Sequence, residues 1–555
     1  MFFGNCACQV KKSQFVGSSF YIFMIQYLYI HAAERIGAEF LTYAGEELLR
    51  LHDAFFPGDV HVVSCRVVLQ KTPEIVWRNK RGCFIMSIQL MIVVLYVAML
   101  FAISFYVKRR AEASATEYQF AGRKFGALLI AVSVTGMAVG AASTVGVAES
   151  ATRIGLSAGW YNGAWSIGAI FMGLVAAGKY RTLECTTVPE LFERCYDKKA
   201  RIISVIGLAI ILSCITSLQY VAGGSILSTL MPDVFTMKTG MITSAVVFIG
   251  ITVIGGMWSS GLSSVLSVLI IYLGIIFCMV KILIRDGGMA GIVAKLPPMP
   301  FDWADPFGGL TMAMLMGWII VMMTQTVSGA PVQIATSSKS ESAARNGFIL
   351  GGLIIFPIGF FSAVLGMAAK AQYPDINPTL ALPQIIMSLD PFSSGITLAA
   401  LWAADVSTAC TILLGAGTLI AQDIYKRFFN PDITPDKYMK ASRFIIFAVG
   451  LVTLWMAFNA VGIVKMMLTG LSLTTAFTLV FLATMFAPDL CRRNTAFYTT
   501  LVGLIGLLAW QIFPSVRILP HPIYFEWIIC TITLLVVRII DKEPITPPAL
   551  KKDIE

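Results

Sequence analysis

The apolar run from Leu401 to Arg427, LWAADVSTACTILLGAGTLIAQDIYKR, holds an acid, Asp405, and two adjacent hydroxyls, Ser407 and Thr408. The run is long and apolar enough to cross a bilayer, where such groups are costly unless they meet a partner, an ion or a water-filled path. Two neutral hydroxyl oxygens are the kind of ligand with which an alkali cation replaces its water. Small Ala403 and Ala404 would let a second backbone come close. Residue 405 lies about 200° around a helix from Ser407, so its carboxylate addresses a different neighbour. A second cation, a carried proton, a cationic solute or a structural hydrogen bond each fits that position.

Two other apolar runs are interrupted by poor helix formers. One contains Thr135-Gly136-Met137-Ala138-Val139-Gly140-Ala141-Ala142-Ser143-Thr144, the other Thr324-Gln325-Thr326-Val327-Ser328-Gly329-Ala330-Pro331. Gly lacks side-chain restraint and Pro removes a donor. Small residues also let membrane helices approach closely. Two such stretches at corresponding places in two halves of a chain, however, point to broken helices that face a site at mid-membrane. A cation held between the break near Val139 and the Ser407–Thr408 pair would tie the two helices together, so that solute binding depends on ion binding.

The elements that must position these residues follow from composition. Of 555 residues, 57% are hydrophobic and 13% charged, which predicts an all-α polytopic membrane protein. Apolar runs at 87–107, 124–149, 157–179, 201–230, 239–257, 261–285, 308–335, 345–370, 393–422, 440–460, 462–487, 494–513 and 521–540 predict thirteen membrane helices. Residues 124–285 and 308–487 each hold five, so the second block enters the membrane with the opposite sense, as an inverted repeat. Residues 86–123 carry a helix and inner loop before this core, 494–540 two helices after it, and 541–555 a tail. If the first helix starts outside, 24 Lys and Arg fall in inner loops and the tail and six outside, the bias expected of a cytoplasmic face. The amino end of the thirteen-helix set is then outside, the carboxyl tail is cytoplasmic, and the protein lies in the cell membrane. The net charge of +10 belongs to this pattern. No soluble stretch is long enough to form a basic, aromatic-studded face, so a nucleic-acid partner is excluded.

Residues 1–85 differ from the rest. They hold His31, His52 and His61, three of the four histidines, and four of the eleven cysteines, Cys6, Cys8, Cys65 and Cys83, without regular apolar blocks. Phe15 to Ala33 is apolar enough to lie on or in a membrane, although Ser18, Ser19, Gln26 and His31 interrupt it. Lys11-Lys12 is not followed by the apolar core and cleavage site of a signal peptide. The stretch reads as an atypical extension ahead of a biological start at Met86; an added amphipathic or regulatory segment is the alternative. The seven remaining cysteines lack disulfide or metal spacing and read as small core residues.

Ala404-Asp405-Val406-Ser407-Thr408, followed by Asp423-Ile424-Tyr425-Lys426, resembles the sodium/solute symporter family, which carries a Ser-Ser or Ser-Thr pair before an Asp-(Ile/Leu)-Tyr-Lys end. Phe120-Ala121-Gly122-Arg123-Lys124 looks like the start of that family's first core helix. Thr187-Val188-Pro189-Glu190-Leu191-Phe192-Glu193-Arg194 is similar to its loop after the second, and Gly255-Gly256-Met257-Trp258 to the turn before its fifth. The resemblance covers about residues 86 to 540 and implies the leucine-transporter fold, working by alternating access. It implies a sodium site made by the carbonyls of Gly136, Val139 and Ala404 with the hydroxyls of Ser407 and Thr408. It places solute between the broken helices, with Ser143, Thr144, Asn162, Gln325 and Thr326 as candidate contacts. Where many members have a Thr-Asp-like pair after the Gly-Gly turn, this chain has Ser263-Ser264, which puts an additional cation site of that kind in doubt. Asp405 stands where relatives usually carry an apolar residue.

After Met86 the sole histidine is His521, and there is neither a Gly-Lys-Ser/Thr phosphate loop nor a metal cluster in the sequence. Enzyme and ATP-driven readings therefore fail, and an ion gradient is the expected energy source. A channel would need a continuous polar stripe, and a sensor an output domain larger than the seventeen residues after Arg538. Proton coupling through Asp405 stays open. Lys281 and Lys465 fall near outer helix ends and are expected to snorkel. Glu149 closes the first core helix outside. Trp160, Tyr161 and Trp165 form either a wall over solute or an interfacial anchor. The substrate is a small organic solute of unspecified class, and no pattern fixes the oligomeric state.

Overall fold

The computed structural model describes residues 74–79, 82–183, 185, 187–232, 234–459 and 470–546, with side chains from Met91 onward except Ala115. Phe15–Ala33, the first three histidines and Lys465 lie outside the described residues. The chain divides between Ile88 and Gln89 into two compact units. In the first, β1 (Glu74–Asn79) and β2 (Gly82–Ser87) form an antiparallel hairpin with Glu74 opposite Ser87 and Asn79 opposite Gly82. This hairpin is absent from the helical expectation. Ile75, Val76, Trp77, Phe84 and Ile85 are β-branched or aromatic, a strand composition that is masked when the sequence is scanned for long apolar runs.

The second unit begins with α1 (Ile88–Ala111), whose last turn carries Lys108, Arg109 and Arg110. It continues through α2 (Ala127–Ala138), α3 (Val147–Ile154), α4 (Trp160–Val175), the short α5 (Val188–Cys195), α6 (Lys198–Leu230) and α7 (Met237–Asp286). Next come α8 (Met312–Ser328), α9 (Pro331–Thr336), α10 (Glu341–Gln372), α11 (Pro391–Ile420) and α12 (Pro435–Ala457). The last three are α13 (Thr474–Phe486), α14 (Thr495–Ile512) and α15 (Pro522–Ile540). Among the described residues eight helices are long and apolar enough to cross a membrane, nine when α2 and the helical stretch after it, bent by 60°, count as one span. The run at 124–149 is thus a broken helix, as is 308–335, which divides into α8 and α9. Seven cysteines from Cys185 to Cys530 are free thiols, all buried but the half-buried Cys214.

α11 is the centre of the bundle: every residue from Thr397 to Leu414 is buried. It packs mainly on α7 and α6, while α10 packs on α4 and α2. α7 spans fifty residues, far more than a single bilayer crossing needs. It consists of two helices that meet at a kink at Gly256, whose φ of +53° and ψ of −141° no side chain tolerates well. The expected pair 239–257 and 261–285 corresponds to the two helices on either side of this glycine kink. A methyl there would also strike the Tyr118 carbonyl. Trp258 Nε1 donates to Glu117 at 2.8 Å, the Phe125 and Trp258 rings lie 5.5 Å apart, and the Arg110 guanidinium stands 4.3 Å over the Trp258 ring. Burial pushes the Glu117 carboxyl up, but Lys124 and Trp258 outweigh it and hold it below the usual range. The Phe120–Lys124 and Gly255–Trp258 motifs are thus two sides of one joint.

Gly256→Ala should lower the melting temperature of the detergent-purified protein, at a cost of about 1–3 kcal/mol for the backbone alone. Gly250→Ala, where a methyl finds Phe101 at an ordinary 3.4 Å, should leave it nearly unchanged. Both are read by fluorescence-detected thermal unfolding.

Candidate functional site

α2 ends at Val139, which leaves helical geometry at φ −92° and ψ 73° and so turns its carbonyl off the helix axis. Residues 142–146 then form a π-helical turn, closed by the Gly146 N–H on the Ala141 carbonyl at 2.8 Å, before α3 resumes. The break is crossed by α11. Ser407 Oγ lies 2.8 Å and Thr408 Oγ1 2.9 Å from the Gly136 carbonyl, and Ser407 Oγ is also 3.0 Å from the Ala404 carbonyl. Two carbonyls and two hydroxyls from two helices therefore meet at one point, with no charged side chain among them. A hydroxyl has one proton to donate, so lone pairs remain available at this point. Such a set of neutral oxygens fits a monovalent cation.

Glycine permits the crossing. A methyl on Gly136 would stand 2.7 Å from Ser264 Cβ, and one on Gly140 would overlap Thr408 Oγ1 and Gln219 Oε1. Gln219 of α6 is buried, and its Oε1 accepts the Ala141 N–H at 2.9 Å, satisfying a donor freed by the break. Ser260 of α7 and Thr411 of α11 share a hydrogen bond one turn further along. Neither Gln219 nor the Ser260–Thr411 pair is signalled by the sequence, since each gains meaning only from a partner 78 or 151 residues away.

The second break, Ser328 to Pro331, is held by α13. Thr478 Oγ1 donates to the Thr324 carbonyl at 2.6 Å and lies 2.9 Å from Ser328 Oγ, and Thr474 Oγ1 lies 3.2 Å from Thr324 Oγ1. Of the candidate solute contacts, Ser143 bonds the Ala138 carbonyl and Thr144 the Gly140 carbonyl, so both serve the first break. Thr326 turns to α4, 2.9 Å from the Gly168 carbonyl. Asn162 is fully buried against Gly359 of α10, with both amide atoms unpartnered among the described residues. Gln325 is buried with its Oε1 unpartnered. Asp405 has no exposed surface, and neither carboxylate oxygen has a hydrogen-bond partner among the described residues. Lys281 bonds Ser393 at 2.7 Å and pairs with Asp390, tying α7 to the start of α11. Trp165 donates to the Tyr161 hydroxyl at 3.3 Å, while Trp160 packs among Phe307, Phe356 and Phe360.

At the other end of α11, in its π-helical extension Ala421–Phe429, Asp423 is fully buried and receives Arg201 Nε at 2.8 Å. Arg201 also pairs with Glu193, which takes Arg427 Nη2 at 2.6 Å. Burial pushes the Glu193 carboxyl up, but Arg427 and Arg201 hold it below the usual range. The Thr187–Arg194 and Asp423–Lys426 motifs thus share one ion-pair network.

The model of the sodium:solute symporter family matches residues 118–503. The sodium/pantothenate symporter of Escherichia coli is 24% identical over 367 residues, covering 63% of this chain and 74% of that protein. The sodium/proline symporter of Haemophilus influenzae is 24% identical over 424 residues, covering 71% and 83%. The solved structure of a substrate-bound, outward-open Na+-coupled sialic acid symporter aligns with a TM-score of 0.69 at 17% identity, covering 83% of this chain and 99% of that one. The shared fold is the leucine-transporter fold.

Arg201→Ala should destabilise the protein by roughly 3–5 kcal/mol, because it strands the buried Asp423 carboxylate. Arg201→Met/Asp423→Leu should recover most of that loss in the same thermal-unfolding measurement.

Proposed function

The chain belongs to the sodium:solute symporter family, and from that premise we propose how it couples sodium to its solute. It is a sodium-coupled membrane transporter of a small solute and not an enzyme. Sodium is bound by the carbonyls of Gly136, Val139 and Ala404 and the hydroxyls of Ser407 and Thr408. The observation that carries this is the convergence of both hydroxyls on the Gly136 carbonyl, at 2.8 and 2.9 Å, at the broken end of α2. Sodium there clamps α2 to α11 and fixes the break against which solute docks. Release of the ion frees α11 to move and opens the path inward. Thirteen membrane helices, in inverted blocks 124–285 and 308–487, carry the motion, with the amino end of the set outside and the tail cytoplasmic, as the distribution of Lys and Arg supports.

The solute is a small organic molecule held between the two breaks. Gln325 and Asn162, whose amides keep unpartnered atoms among the described residues, are the favoured contacts of the set with Ser143, Thr144 and Thr326. Relatives named for pantothenate, proline and sialic acid define the first solutes to try. A second reading concerns Asp405. Its carboxylate is buried without a partner among the described residues, one turn before Thr408 on α11, and it takes a second cation, sodium or a proton.

The test is uptake into proteoliposomes of a panel of radiolabelled solutes built around those three compounds, under an inward sodium or an inward proton gradient. Sodium-driven uptake is expected. Ser407→Ala/Thr408→Ala should raise the half-saturating sodium concentration at least tenfold, since a dipole contact to a charge contributes about 1.5–3 kcal/mol. Asp405→Asn should lower the number of cations moved per solute. Proton-driven uptake that survives the double substitution and disappears in Asp405→Asn would overturn the sodium assignment.

A further inference from the structure

At the end of the second block, α13 and the two helices that follow it, α14 and α15, enclose a second group of polar atoms. Glu526 of α15 has no exposed surface. Its Oε1 has no hydrogen-bond partner among the described residues, and its Oε2 has only the Cys530 thiol at 3.9 Å. The carboxyl lies over two glycines of α14: a methyl on Gly503 would stand 3.2 Å from Oε2, and one on Gly506 3.3 Å from Oε1. Thr499 is one turn before Gly503 on that face, and its carbonyl is 3.8 Å from the same thiol. The Gly503 position also meets Ala476 of α13, the neighbour of Thr475.

The hydroxyls of this junction behave unusually. A buried Ser or Thr in a helix normally bonds a carbonyl one turn back; Thr484 does so at 2.6 Å and Thr533 at 2.7 Å. Thr475, Thr499 and Thr500 are fully buried, yet their hydroxyls have no partner among the described residues. No Lys or Arg pairs with Glu526 among the described residues either. One carboxylate with neutral oxygens around it suits a singly charged cation, whereas a divalent ion calls for more carboxylates.

We propose that the junction of α13, α14 and α15 is a monovalent-cation site formed by Glu526 with the hydroxyls of Thr475, Thr499 and Thr500, separate from the Ser407–Thr408 site. α13 connects it to transport, because Thr474 and Thr478 on the same helix hold the second break through Thr324 and Ser328. A cation at Glu526 braces that helix from its far side.

Equilibrium binding of radioactive sodium to the purified full-length protein tests this. Glu526→Gln and, independently, Thr499→Val/Thr500→Val should each lower the saturating stoichiometry by one ion per chain. The component removed by Ser407→Ala/Thr408→Ala should persist in both, so failure of one site is distinguishable from failure of the other. Unchanged stoichiometry in either variant that elutes as a folded, monodisperse species overturns the proposal. The threonine variant serves alone if Glu526→Gln does not fold.

Discussion

The Gly136 carbonyl, met by the hydroxyls of Ser407 and Thr408, is the contact on which the rest of the structure depends. It exists because α2 stops at Val139, and α2 can stop there because Gln219 takes up a freed N–H while Ser143 and Thr144 bond carbonyls of the same segment. Glycine at 136 and 140 lets α7, α6 and α11 close on the break; a side chain at either would hold them apart. A point where neutral oxygens outnumber the protons they can donate is stable enough to fold and still receptive to a cation.

An ion-pair network lies apart from that contact, at the carboxyl end of α11. Arg201 gathers Asp423 and Glu193, and Arg427 closes the set, so the end of α11 is fixed to α5 and α6. The Glu117–Trp258 joint does the same for the start of α2 and the kink of α7. Near mid-bundle the links are hydroxyl to carbonyl, each modest in net energy, and can be exchanged as helices shift. The ion pairs at the carboxyl end of α11 are stronger and local.

Much of this was legible in the sequence. Glycine and proline punctuation located both breaks, and Ser407 and Thr408 stand out as hydroxyls in an apolar run, while the part of the Gly136 carbonyl came from the resemblance to the sodium/solute symporters. The four motifs were visible one by one, but not that they join in two pairs, since pairing is a property of the fold. The bond from Thr326 to the Gly168 carbonyl is hidden for the same reason, since the two residues are 158 apart. The kink at Gly256 is marked in the sequence by its Gly-Gly pair. The β1–β2 hairpin escaped because its strands are six residues each, too short to register against helix-length runs.

The most direct measurement of the central claim is the sodium dependence of thermal stability in the purified protein. A ligand that binds the folded state raises stability by RT ln(1 + [L]/Kd). The melting temperature should therefore climb with sodium but not with potassium or choline. Thr408→Ala should move that curve to at least tenfold higher sodium, about 1.4 kcal/mol in binding. A curve for Thr408→Ala that superimposes on that of the unsubstituted protein would contradict the account.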